Sequence, residues 1–187
     1  MYKAVIFDLD GTLLDSLNDI LAVLNQTLDK FCLPQITRER AQSYIGNGAR
    51  ELVRLAIGSD NADRLDEILA YYKSQYAKSD NGLASLYDGE EEALYALKER
   101  GVKLAILTNK PHAAAMRANG IFFEKFAFDC VQGQADGAPL KPSPQSVNCV
   151  LDKLGVKVED CLFVGYGEAD IKAAENVGMD FVSVLWG

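Results

Sequence analysis

Asp8-Leu9-Asp10-Gly11-Thr12 follows directly on the apolar run Ala4–Phe7. Two carboxylates two residues apart, with a glycine to turn the chain, can place two acids in the crevice outside the carboxyl end of a strand. One acid can attack a phosphorus as a nucleophile. The other can shuttle a proton or help with a metal. Taken alone, D-x-D-G favours the plainer reading of a polar strand exit with a glycine turn. Three further groups accompany it. Thr108-Asn109 ends the run Val102–Leu107, where a hydroxyl and an amide could hold phosphoryl oxygens or simply cap a helix before Pro111. Lys141 stands in Leu-Lys-Pro-Ser-Pro, just before a helix. Its ammonium could neutralise a phosphate or a carboxylate pair, or lie on a solvated loop. Glu168-Ala169-Asp170 follows Cys161–Val164, as more acids at a strand exit or as a helix start favoured by the helix dipole. Each group has a bland account; their common placement at or beside strand exits does not.

The elements that must carry these residues are legible in outline. Ala4–Phe7, Val102–Leu107, Cys161–Val164 and Phe181–Leu185 are short apolar runs without alternation, and Phe128–Gln132 is a weaker one. Such runs suit a parallel sheet covered on both faces. Helical patterns separate them. Glu90–Arg100 carries Ala93, Leu94 and Leu97 on one face and ends at Gly101. Ser143–Leu154 has Pro144 at its first position and Gly155 after it, and Glu168–Val177 turns Ile171 and Ala174 inward. From residue 15 to about residue 85 the alternation stops. Leu17, Ile20, Leu21, Leu24, Leu28 and Phe31 form one helical stripe, capped by Asp15 or Ser16, and Leu65, Ile68, Leu69, Tyr72 and Tyr76 form another. Glu51–Ile57 predicts a third helix, and no strand is expected in this stretch. The expected fold is therefore α/β: a Rossmann-like parallel sheet flanked by helices, with an all-helical cap inserted after the first strand. Residues 1–14 and 86–187 form the core, residues 15–85 the cap, and Asp15–Ser16 and Ser79–Gly89 the hinges.

Composition narrows the class. The chain has 187 residues, 49% hydrophobic and 25% charged, which excludes a disordered or fibrous protein. Nineteen basic against 27 acidic residues give a net charge of −8, so a nucleic-acid partner is not expected. No stretch approaches the ~18 apolar residues of a membrane span. The N-terminal apolar run is too short for a secretory signal. Cys32, Cys130, Cys149 and Cys161 form no C-x-x-C pair and read as reduced core residues of a cytoplasmic protein.

FDLDGTLLDS, ILTNKP, GxPLKPSP and VGxxEADI, in that order, resemble the haloacid dehalogenase superfamily, and within it the phosphoglycolate phosphatase-like branch. The stretch from Gln132 to Pro142, including Asp136, and the loop Gly46-Asn47-Gly48 look more like the phosphatases of that branch than its sugar phosphomutases. The resemblance implies a phosphomonoesterase acting on a small phosphorylated metabolite, with Mg²⁺ as cofactor. It implies Asp8 as the nucleophile that forms an aspartyl-phosphate and Asp10 as general acid, then base. Thr108 and Asn109 would bind the transferring phosphoryl group, and Lys141 would offset the charge on Asp8 and phosphate. Asp10 favours phosphoryl transfer, because the superfamily's dehalogenases lack the second acid. Arg50 could pair with a substrate carboxylate, or be a surface residue at a helix start. Lys110 is another substrate contact, with a solvated face as the plainer alternative. His112 is expected on the surface.

The fourth motif departs from the pattern. Relatives read V-G-D-x-x-x-D; here the first Asp is Tyr166. That Asp normally ligates Mg²⁺, alongside Asp8 and Asp10, and a phenol with a pKa near 10 is a poor substitute. Glu168 or Asp170 reaches the metal instead, or catalysis has been lost and phosphate binding kept, or the residue is an introduced change. The chain also stops soon after its last strand, at Leu185-Trp186-Gly187. A less covered sheet edge there predicts a marginal monomer or a homodimer.

Overall fold

The structure is a computed structural model that describes residues 1–135 and 137–187, so Asp136 lies outside the described residues. The chain opens with β1 (Ala4–Phe7), whose four residues are all buried, and a two-residue strand β2 (Leu14–Asp15). Four helices follow: α1 (Leu17–Lys30), α2 (Arg38–Tyr44), α3 (Ala49–Ile57) and α4 (Leu65–Tyr76). A second short strand, β3 (Ser85–Leu86), returns the chain to α5 (Glu90–Glu99) and β4 (Lys103–Pro111). Then come α6 (His112–Ala118), β5 (Cys130–Gln134), α7 (Pro144–Leu154), β6 (Cys161–Gly165), α8 (Glu168–Glu175) and β7 (Asp180–Ser183).

The main sheet is parallel, in the order β5-β4-β1-β6-β7. β1 pairs with β4 on one side and β6 on the other, with Phe7 opposite Ile106 and Val164. The chain adds strands first to one side of β1 and then to the other. The carboxyl end of β1 is thus a switch point, where a crevice opens. Alternate residues of the central strands face opposite layers. Ala4, Ile6, Leu107 and Phe163 pack with Val147, Val150 and Leu154 of α7 and Ala173 and Ala174 of α8. Val5, Phe7, Leu104 and Ile106 pack with Leu94, Ala115, Phe123 and Phe126. Both layers are apolar because both faces are covered. A third core belongs to α1–α4: Leu24, Leu28, Val53, Ile68 and Tyr72 are buried among one another.

Several expectations need correction. Strand β4 does not stop at Leu107 but runs to Pro111, past a break in its register against β5. The stretch after β1 is not free of strand, since Leu14 and Asp15 pair antiparallel with Leu86 and Ser85. That ladder joins the two ends of the helical insertion, and no local periodicity reveals a pairing so distant in sequence. Helix α2 buries only Ala41, too little to give a stripe. Ile171 is exposed, and Ala173 takes the inward place beside Ala174. The last strand ends at Ser183, leaving Leu185 outside the sheet and Trp186 with its indole N–H on the Thr12 carbonyl at 3.2 Å. Cys130 and Cys161 are buried, but Cys32 and Cys149 are exposed, and all four are free thiols. His112 is exposed, as expected, and its Nδ1 accepts the Gly133 N–H. No helix among the described residues is long and apolar enough to cross a membrane.

Candidate active site

The β1 exit sets the first two groups. The Asp8 N–H still donates to Val164 in the neighbouring strand, at 2.9 Å. Leu9 then turns fully into the core, leaving Asp8 and Asp10 on the side of the crevice. Gly11 has a φ of +81°, and a Cβ there would stand 2.4 Å from the Tyr166 ring. Glycine is required on both counts.

The β4 exit supplies three more. Leu107 pairs with Gln132 and Pro111 with Gln134, so Thr108, Asn109 and Lys110 bulge opposite Gly133. Bulges of this kind re-aim side chains beside functional sites. Thr108 Oγ1 accepts the Lys110 N–H at 3.2 Å. Asn109 is tied on all sides. Its Nδ2 donates to the carbonyls of Gly46 at 2.9 Å and Lys141 at 3.1 Å, and its Oδ1 accepts the Lys141 N–H. The Asn109 side chain therefore positions backbone rather than offering free donors to a phosphoryl group. Lys110 is buried, not solvated as its residue type suggested. Its Nζ donates to Asp10 Oδ1 at 2.6 Å and to the Tyr76 hydroxyl, with the Tyr76 ring centre 4.5 Å away. Ser16 stands where α1 begins, yet its hydroxyl caps nothing there and donates to Asp10 Oδ1 at 2.5 Å.

The third group joins the loop before α7 to the start of α8. Lys141 Nζ lies 2.6 Å from both Asp8 Oδ1 and Asp170 Oδ1, with its side chain 2% exposed. Asp170 turns its other oxygen to the N–H groups of Tyr166, at 3.2 Å, and Gly167, at 3.0 Å. A Cβ on Gly165 would meet that carboxylate at 2.7 Å, so the glycine makes room for it. Burial works against the charge on Lys141, but the two carboxylates more than offset it and hold its pKa above the usual lysine range. For Asp8, burial and the nearby Asp170 charge outweigh Lys141 and push the carboxyl up to about 7. Burial, with Asp8, Asp10 and Asp170 adding to it, pushes the Tyr166 phenol further above its ordinary value.

These groups surround one cavity of about 290 Å³ between the sheet and the helical insertion. Asp8, Asp10, Thr108, Asn109, Lys110, Lys141, Glu168 and Asp170 all border it, with Gln42, Tyr72 and Tyr76 across from them. Arg50 does not border it. Its guanidinium pairs with Asp66 at 2.7 Å on the exposed side of α3. Tyr76 and Ser16 carry no site signal in the sequence, because one belongs to an apolar helical stripe and the other precedes a helix, places with ready structural explanations.

The carboxylates do not gather as a Mg²⁺ ligand set. Glu168 turns outward to Lys172 at 2.5 Å, and both Asp170 oxygens are occupied. Among the described residues no three His, Cys, Asp or Glu side chains converge on one point. Tyr166 stands where the resemblance expects a third carboxylate, and hard-cation sites are built from charged or carbonyl oxygens.

Known proteins resemble this chain over nearly its whole length. A family profile described as haloacid dehalogenase-like hydrolase matches residues 5–184. This chain belongs to the haloacid dehalogenase-like hydrolase family. A protein named phosphoglycolate phosphatase from Xanthomonas campestris pv. campestris is 33% identical over 186 residues, 99% of this hydrolase and 84% of that protein. One named phosphoglycolate phosphatase 1, from Pseudomonas aeruginosa, is 35% identical, over 99% of this hydrolase and 70% of its own length. A crystal structure from Lactobacillus delbrueckii subsp. bulgaricus, described as a phosphoglycolate phosphatase, superposes with a TM-score of 0.87 at 27% identity, covering all of this hydrolase and 87% of that chain. A haloacid dehalogenase-like hydrolase from Bacteroides fragilis shares the fold, with a TM-score of 0.90 at 24% identity, covering all of this chain and 89% of that one.

Proposed function

We propose that this hydrolase is a cytoplasmic phosphomonoesterase acting on a small phosphorylated metabolite. One observation carries the reading: Asp8 and Asp10 leave the same strand into one cavity, each on its own buried lysine. Asp8 attacks the phosphorus, the ester P–O bond breaks, and Asp10 gives its proton to the departing alcohol. Asp10 then takes a proton from water, which attacks the aspartyl-phosphate, releases inorganic phosphate and restores Asp8. Thr108 offers its O–H to a phosphoryl oxygen, and Lys141 offsets charge on Asp8 as the dianion arrives. The four free thiols suit a reducing compartment. The names of the relatives make phosphoglycolate the first substrate to try. Mg²⁺ is the cofactor that the resemblance implies.

Tyr166 favours a second reading, a phosphate-binding protein whose turnover is impaired or lost. One assay separates the two. Phosphate release is measured from phosphoglycolate, an aryl phosphate and a sugar phosphate, with Mg²⁺ and with chelator. Turnover that Asp8→Asn abolishes supports the esterase. A folded protein with no turnover on the panel supports the second reading. Isomerisation of the sugar phosphate without phosphate release would point to a mutase.

A further inference from the structure

We infer that the cavity takes a phosphate group without a divalent cation, using the Lys141 and Lys110 ammonium groups and the Tyr166 hydroxyl. The inference rests on the reading of the cavity as a phosphoryl site, but not on turnover there.

The first support is what fills the cation's place. Tyr166 follows β6, and its ring lies against Gly11, so near that a Cβ on that glycine would stand 3.0 Å from the phenol oxygen. The ring thus occupies the turn beside Asp10 instead of pointing to solvent. A phenol is neutral at pH 7 and donates a hydrogen bond. Tyr166 borders the cavity, and its hydroxyl makes no hydrogen bond among the described residues.

The second support is that each remaining acid already holds a lysine, and Asp170 is engaged at both oxygens. Asp170 uses one oxygen on Lys141 and the other on two backbone N–H groups. Asp8 shares Lys141, and Asp10 holds Lys110 and Ser16. A Mg²⁺ ion demands near-octahedral oxygen ligation and gives up its water reluctantly. Entering here, it would find only the second oxygens of Asp8 and Asp10 clear of the lysines, with Asp170 engaged at both oxygens and a neutral phenol in place of a third acid.

The third support is the donor count. An ammonium carries three N–H donors. Lys141 directs two to Asp8 and Asp170, and Lys110 two to Asp10 and Tyr76. That count leaves one N–H on each ammonium without a hydrogen-bond acceptor, and both lysines border the cavity.

The test is calorimetric and does not depend on turnover. Wild-type protein is titrated with MgCl₂ alone, then with inorganic phosphate in EDTA and in Mg²⁺ buffer. The expected result is no saturable Mg²⁺ binding and the same phosphate affinity in both buffers. Tyr166→Phe weakens phosphate roughly five-fold through the lost hydrogen bond. Tyr166→Asp gains a Mg²⁺-dependent rise in melting temperature. Saturable Mg²⁺ binding to the wild type, phosphate binding only with Mg²⁺, or no phosphate binding in either buffer overturns the inference. If Tyr166→Asp fails to fold, the wild-type and Tyr166→Phe titrations decide alone. Metal-free phosphate binding without phosphate release from any ester would sink the esterase reading and leave this one standing.

Discussion

Lys141 bridges two buried carboxylates, Asp8 and Asp170. Removing it leaves Asp8 and Asp170 facing each other without a cation, and breaking a buried charge set in this way costs about 3–5 kcal/mol. Lys141→Met should therefore lower the urea midpoint sharply, whatever it does to turnover. On the proposed mechanism, Asp8→Asn should leave the fold intact while reducing phosphate release by roughly a thousand-fold or more, because it removes the proposed attacking oxygen but keeps the shape. Matched melting curves and single-turnover rates check both halves of that expectation. Asp8, Asp10 and Lys141 were legible in the sequence because each flanks a short apolar run or a proline-marked helix start. Lys110 was legible as a candidate but not in its role. What defines it is Tyr76, a residue of a distant helix, and only the folded chain brings the two together.

Among the elements, the bulged end of β4 decides the most. It exists because Gly133 lets β5, α6 and the β4 backbone meet closely: a Cβ there would lie 2.7 Å from His112 Cα and 2.9 Å from the Lys110 carbonyl oxygen. Gly133→Ala should cost about 1–3 kcal/mol by overcrowding and should move Lys110 with it. A thermal melt and the phosphate affinity read the two effects. Helix α5 begins with a buried acid, Glu90, whose carboxyl is pushed up to about 7 by loss of solvent. The favourable helix dipole does not compensate. Because the folded-state value lies above the unfolded one, stability falls as pH rises from about 4.5 to about 7 and then levels off. Glu90→Gln should thus stabilise the protein at pH 8, by on the order of 1 kcal/mol after solvent screening, and lose that gain near pH 4. Urea melts at both pH values test it. Helices α1, α4 and α7 could be read because each buries a continuous stripe. The β4 bulge could not, since its cause is a glycine in another strand.

Across the whole molecule, the insertion has its own core and touches the sheet at few polar points. The β2–β3 ladder joins them at one edge, the Tyr76 hydroxyl meets Lys110, and the Gly46 carbonyl meets Asn109. Tyr76→Phe keeps the ring over Lys110 but removes one hydrogen bond to a charge, worth about 1.5–3 kcal/mol. Hydrogen exchange should quicken in α4 and stay unchanged in α7. Equal quickening in both would mean that the insertion and the sheet open as one unit. The broad architecture was legible because strand and helix alternate on one side of the insertion and not within it. How the two parts meet was not, because each tie links residues far apart in the chain.

Asn109 gives this arrangement a further property. Its amide holds the Gly46 carbonyl with one hand and the Lys141 backbone with the other. A guest too large to let the loop at Gly46 settle does more than collide with a wall. It also removes one of the three hydrogen bonds that fix the Asn109 side chain, leaving the two to the Lys141 backbone. On the proposed reading, a guest's size is registered at this amide as well as at the cavity wall.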